Sequence, residues 1–202
     1  MGKAGCIYFS YAQKYIRTAL TYYILNLCLC LTIGERCVMR CNIMGQTTLQ
    51  GVPGILRPFK EYIEKRSLPA GSEVVFYGVP GTCTPFVELL CFAIRSLPVT
   101  CIFVPFTGED KAHTLEMKSD VGFQATEQRP PKNPAVVVIM GGLAMPNMPV
   151  SADDVAAVLN KWKGAGTIGI CFMHMFEKAG WLDKMHFDLL IDADISVTVF
   201  SE

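Results

Sequence analysis

The sequence predicts an α/β protein, a three-layer Rossmann-like or flavodoxin-like sandwich around a mainly parallel sheet of about five or six strands. Three observations lead there. Short apolar runs rich in Val, Ile and Phe recur along the chain, as expected of strands buried on both faces. Stretches with helical periodicity lie between them, the alternation that builds right-handed crossovers on a parallel sheet. Helix-start signals follow directly after the strands. Of the 202 residues, 51% are hydrophobic and only 18% charged, which excludes a disordered chain and supplies enough apolar surface for one core.

In order, "GILRPFKEYIEKRS" sets Ile55, Phe59, Tyr62 and Ile63 at helical spacing opposite Lys60, Glu61, Glu64 and Lys65, predicting an amphipathic helix from about 54 to 66. "SEVVFYGV" and "VTCIFVPF" read as the first two strands, joined by the helical "TPFVELLCFAIRSL". In that helix Thr84 is the expected N-cap and Pro85 the first helical residue, where a missing N–H costs nothing. The link from Thr107 to Pro134 predicts a short helix, a small strand at 121–124 and a proline-rich loop. "PAVVVIM", "GTIGICF" and "HFDLLIDA" continue the strands, with helices in "SADDVAAVLNKWKG" and "HMFEKAGWLDKM". Ser151 should cap the former, with Asp153 and Asp154 favouring the positive end of the helix dipole. "DISVTVF" predicts a final edge strand.

Residues 1–43 differ from the single α/β domain predicted over 44–202. They hold Cys6, Cys28, Cys30, Cys37 and Cys41, and no charge occurs from Thr18 to Gly34. That run is short against the roughly 20 residues of a membrane span, and it contains Asn26 and three threonines. As a signal peptide it has a basic flank in Lys14 and Arg17 but no small-residue cleavage site. The favoured reading is translation from Met39 or Met44, so membrane contact is expected only if 18–34 is translated and inserts.

Acidic and basic residues balance at 18 each, which gives no field to draw the chain to nucleic acid. The nine cysteines are odd in number, and Cys83, Cys91, Cys101 and Cys171 fall within core patterns, which argues for reduced thiols in a cytoplasm. Cys37 and Cys41 lack a second pair at zinc spacing, and Cys83, Cys171 and His174 lack a fourth ligand, so no metal site is predicted. His113 and His186 read as structural or solvent-facing, and Asp192 and Asp194 as turn formers or cation ligands.

Ligands of open parallel sheets bind outside the carboxyl ends of the strands. The loops there are "GVPGTCTPF", "VPFTGED", "MGGLAMPNMP" and "CFMHMF". Gly81, Thr82, Cys83 and Thr84 are the candidate anion end, where glycine permits close approach and helix-start amides face outward. Gly141, Gly142 and Met145 are the candidate apolar wall. The spacing matches neither the dinucleotide fingerprint nor the P-loop, and no cofactor is assigned. The leading expectation is therefore a small anionic or nucleotide-like ligand. Alternatives are an enzyme with Cys83 as nucleophile and His174 as base, if the fourth strand neighbours the first, or a homodimer formed through the Met-rich loop or the strand 194–200.

"FYGVPGTCTPFVELLCFAIR", "MGGLAMP", "GICFMHMF" and the "GW" and "FDLLIDADI" strings that follow occur together and in this order. In this the chain, from about Gly51 onward, resembles a family of small proteins from methanogenic and related archaea known as a domain of unknown function. The resemblance implies a cytoplasmic archaeal α/β sandwich and carries over no catalytic residues.

Overall fold

The structure, a computed structural model, describes residues 45–201. The cysteines at 6, 28, 30, 37 and 41, the uncharged run 18–34 and both candidate start methionines lie outside that range. Four α-helices are described, α1 (Gly51–Lys65), α2 (Thr84–Ala93), α3 (Ala152–Lys161) and α4 (Met175–Lys178). The strands are β1 (Ser72–Gly78), β2 (Val99–Pro105), β3 (His113–Lys118), β4 (Gly122–Gln128), β5 (Pro134–Met140), β6 (Gly166–Phe172) and β7 (Leu189–Ala193). They form one seven-stranded sheet in the order β4-β3-β2-β1-β5-β6-β7. β2, β1, β5, β6 and β7 are parallel, whereas β3 and β4 are an antiparallel hairpin added beside β2.

The sheet is thus α/β and mostly parallel, but larger and more mixed than the sequence predicts. The short helix expected after β2 shrinks to a 3₁₀ turn at Glu109–Lys111, and the segment beyond it becomes the hairpin. Its turn holds Asp120 and Gly122 at φ 63° and 92°, the left-handed conformation that Asp and Gly tolerate best. The predicted strand over "DISVTVF" does not form, since β7 stops at Ala193 and 194–200 has no regular structure.

The core follows from the apolar runs. Val74, Val75, Phe76 and Tyr77 of the central strand are fully buried, as are Val136, Val137, Val138 and Ile139 of β5. Alternation along β1 sends consecutive side chains to opposite faces. Phe76 meets Phe59 of α1 at a ring-centroid distance of 6.0 Å, while Tyr77 accepts a 3.0 Å hydrogen bond from Trp162 Nε1, just past α3. Helical segments therefore cover both faces, and each buried aromatic contributes about 2–3 kcal/mol.

α3 starts as the sequence indicates: Ser151 Oγ accepts from the Asp154 amide, and the Asp154 carboxylate accepts from the Ser151 amide at 2.8 Å. α2 does not. Cys83, not Thr84, occupies the cap position, and no side chain caps the helix. The turn closed by Cys83 N–H to Val79 O (2.9 Å) already carries Cys83 into helical geometry, so Thr84 lies inside the helix and loses the extended conformation that a cap needs.

Candidate functional site

The strand order reverses direction between β1 and β5, the position in an open α/β sheet at whose carboxyl ends ligands bind. Two predicted groups meet there. The β1 loop delivers Cys83, 4% exposed, and the β5 loop delivers the 3₁₀ turn Gly141–Ala144. A β-carbon on Gly142 would stand 2.5 Å from the Cys83 sulfur, and one on Gly141 would stand 2.3 Å from Cβ of Cys171 on β6. The double glycine is required by the protein's own thiol residues, which approach the β5 backbone from both sides.

This packing also explains why residue 83 is a cysteine. Its sulfur fills the space bounded by Gly142 and Gly78, where a β-carbon on Gly78 would come within 3.3 Å of it. Burial pushes the Cys83 thiol above its ordinary range, and the backbone groups of Val79 and Gly142 offset only part of that rise. Cys171 is driven further, to about 12, by burial and by the Asp192 carboxylate. Both are therefore protonated thiols at neutral pH, whereas a nucleophile requires thiolate.

His174 stands farther along the same rim. Its ring Nδ1 lies 2.7 Å from Asp192 Oδ2 and its Nε2 lies 3.4 Å from Asp194 Oδ2, while its amide donates to Asp192 Oδ1 at 3.1 Å. With a carboxylate at each nitrogen, the imidazolium is the form best satisfied, and hydrogen bonding to Asp192 followed by charge from Asp192 and Asp194 raises its pKa. The two aspartates read as turn formers or cation ligands thus hold a histidine. The condition for a Cys83 and His174 pair, neighbouring strands, is not met: β5 lies between β1 and β6, a separation of about 10 Å at ordinary strand spacing.

The amides are arranged differently. Cys83 N–H is used within its turn, and those of Phe86 and Val87 donate to Cys83 O. Those of Gly81, Thr82 and Thr84 have no protein acceptor among the described residues. Gly81 takes φ 78°, a left-handed conformation that glycine adopts without strain. Met145 is half-buried at the end of the β5 turn. Phe86, in the first turn of α2, packs at a ring-centroid distance of 4.3 Å and a 43° tilt against Phe172 at the end of β6.

Several rim features carry no sequence signal. Phe106, Asn147, Met173 and His174 all have φ between 55° and 65°, and they follow β2, β5 and β6. Left-handed non-glycine residues cost about 1–3 kcal/mol each and concentrate at functional sites. A second unpredicted feature is Glu109, which accepts from Tyr77 (3.0 Å) and Trp162 (3.2 Å) and pairs with Lys161. Burial and the Glu109 charge keep the Tyr77 hydroxyl protonated far above its usual range. A partner at a distance of 32 residues or more in sequence leaves no local pattern to read.

His113 lies beside the Thr126 carbonyl at 3.4 Å. Among the described residues no cluster of three or more His, Cys, Asp or Glu side chains is arranged to hold a metal, and no helix is long and apolar enough to cross a membrane. Two cavities, of about 410 and 390 Å³, lie beside α2 and the β3–β4 hairpin and include none of the rim residues named above.

Residues 50–196 match the family described as an uncharacterized protein conserved in archaea, DUF2124. The chain belongs to this family. An uncharacterized protein of Methanocaldococcus jannaschii is 35% identical over 150 residues, covering 74% of this chain and 89% of that protein. A second, from Methanothermobacter thermautotrophicus, is 36% identical over 143 residues, covering 69% and 91%. A crystal structure of a protein of unknown function from Methanothermobacter thermautotrophicus superposes with a TM-score of 0.69 at 33% identity, covering 78% of this chain and 97% of that one. That protein therefore shares this α/β fold, and the methanogen relatives agree with the resemblance seen in the rim motifs.

Proposed function

We propose that the domain is a Rossmann-like binding protein for a small anionic or nucleotide-like ligand, held at the carboxyl ends of β1 and β5. The observation that carries this reading is the row of amides at Gly81, Thr82 and Thr84 that have no acceptor among the described residues, set at the reversal of strand order. The amides bind the anion, and the half-buried Met145 and the Phe86–Phe172 pair offer apolar surface beside it. A nucleophilic role for Cys83 is disfavoured by its buried, neutral thiol. Four buried, unpaired cysteines support a reducing compartment, the cytoplasm.

Thermal unfolding against nucleotides, flavins, acyl cofactors and inorganic phosphate tests the proposal. A ligand at 100 times its Kd adds about 2.7 kcal/mol to stability, a rise of roughly 5–10 °C for a domain of this size. Substituting Thr82→Pro deletes one amide of the row and should reduce that rise. No shift with any of the four classes, or a shift untouched by Thr82→Pro, refutes the assignment.

A further inference from the structure

We infer that the cavity between α2 and the β2–β3 pair is a site for a soft monovalent cation of the Cu(I) class, held by the thiolates of Cys91 and Cys101 and the thioether of Met117. These three residues line one cavity of about 410 Å³. None of them takes part in the anion site proposed above. Cys91 belongs to the buried row of α2, with Val87 and Leu90, and is 0% exposed, while Cys101 lies in β2 and is 4% exposed. A hydrogen bond joins the two side chains, so one sulfur donor from the helix and one from the sheet already touch. Both are free cysteines.

Met117 reaches the same place through strand register. Cys101 opposes Leu115 in the antiparallel pair of β2 and β3, and Met117, two residues farther along β3, projects from the same face of the sheet. It is therefore a diagonal neighbour of Cys101, about 7–8 Å away and within reach of a long side chain. Met117 is 41% exposed whereas both thiols are buried, so the set has one donor open to water.

The donor set selects the ion. Thiolate and thioether sulfur favour Cu(I), for which two or three such donors suffice, whereas a structural zinc needs four ligands. The carboxylates lining the cavity are engaged elsewhere: Glu116 pairs with Lys118 at 2.8 Å and Glu127 with Arg129 at 3.9 Å. Burial, the hydrogen bond and charge of Cys101 and the charge of Glu88 push the Cys91 thiol well above its ordinary range, so a bare thiolate does not form there and a bound ion must displace the proton. Uptake of one cation releases two thiol protons to water and leaves an anionic complex. Arg95 lines the same cavity, its guanidinium over the Phe92 ring and donating to the Phe92 carbonyl, with no carboxylate partner among the described residues. It is the cation that offsets the complex.

Methionine-methyl NMR of the full chain tests this under anaerobic conditions, with Cu(I) supplied as its acetonitrile complex. The Met117 signal is identified by its absence in Met117→Leu, a change at an exposed position that keeps the fold. In the unsubstituted protein that signal should move to a new position and saturate as Cu(I) is added, and Zn(II) should leave it in place. Cys101→Ser should abolish the movement while the other methyl signals keep their dispersion, and Cys91→Ala, which leaves no polar group in the core, makes the same test from the helix side. A Met117 signal unmoved by Cu(I), a movement that survives both cysteine substitutions, or the same movement with Zn(II) would overturn the inference.

Discussion

Gly142→Ala paired with Cys83→Ala gives the most direct test of why a thiol stands at the start of α2. The added β-carbon would lie 2.5 Å from the Cys83 sulfur, whereas its next neighbour, Val79 Cγ2, is at an ordinary 3.6 Å. One atom therefore carries the clash, and overpacking of this kind costs about 1–3 kcal/mol. Cys83→Ala alone removes that sulfur and leaves a void of about one methyl group, a loss of about 1 kcal/mol. Combined, the new methyl occupies the vacated space, so the double variant should be more stable than the sum of the single losses by at least 1 kcal/mol. Gly141→Ala is the contrasting case. Its β-carbon would meet Cβ of Cys171 at 2.3 Å and Cα at 2.7 Å, atoms that alanine at 171 retains. Cys171→Ala should therefore give no relief, with a loss of about 3 kcal/mol or more persisting. Urea unfolding of the four single variants and both doubles measures each term. Independent sites add to within about 0.3–0.5 kcal/mol, so additivity in the Gly142 cycle, or rescue in the Gly141 cycle, would refute this account of the packing.

Glu73 is 6% exposed and is held by Arg129 at 2.7 Å and by the amides of Lys132 and Asn133 at 2.8 and 3.0 Å. Burial opposes its charge, but the hydrogen bonds prevail and its pKa is depressed. The resulting stability is present above the carboxylate's unfolded value and is lost as pH falls through the lower folded one. Acid titration of Glu73→Gln should show a loss of about 2 kcal/mol at neutral pH and a flatter decline below pH ~4, and an unchanged acid limb would contradict this. His174 has the opposite sign: its pKa is raised, so its contribution is full below the unfolded value of about 6.5 and disappears as pH rises through the folded one. NMR titration should find the His174 pKa above the ordinary value and shifted downward in Asp192→Asn; no downward shift would separate the ring from that carboxylate. Iodoacetamide should label Cys83 more slowly than a free thiol across pH 7–9, and labelling at the free-thiol rate would show that the thiol is not buried.

Most of the parallel sheet was legible because a strand buried on both faces must be apolar along its whole length. "SEVVFYG", "PAVVVIM" and "GTIGICF" meet that requirement over most of their length, Glu73 being the buried charged exception, and their bounds agree with β1, β5 and β6 to within a residue. The β3–β4 hairpin has no such run. In β3 only Thr114 is buried while Glu116, Met117 and Lys118 are exposed, so composition there resembles a loop. Of the hairpin, only a small strand at 121–124 could be read, which overlaps the start of β4. The rim was legible as a set of loops but not as a set of contacts. Glycine pairs indicate close approach without saying to what, and the answer, two thiol residues from flanking strands, depends on strand order.

The error at "DISVTVF" makes the same point from the other direction. Its propensity for extended structure is as strong as that of β7, yet propensity acts only where a neighbour supplies hydrogen bonds and covers the side chains. β6 supplies these as far as Phe172, after which Met173 and His174 turn away in conformations that a β-branched residue would resist. Strand formation beyond Ala193 therefore depends on the backbone at 173 and 174 and not on the residues of the strand itself. Shortening the chain beyond Ala193 would leave the fold unaltered, whereas Met173→Val should strain the turn, loosen the carboxylate grip on His174 and lower the melting temperature by roughly 2–12 °C, since a β-branched residue at positive φ costs about 1–3 kcal/mol. A variant with the parent melting temperature would mean that the turn, and with it the direction of the C-terminal segment, is not fixed by strain at the end of β6.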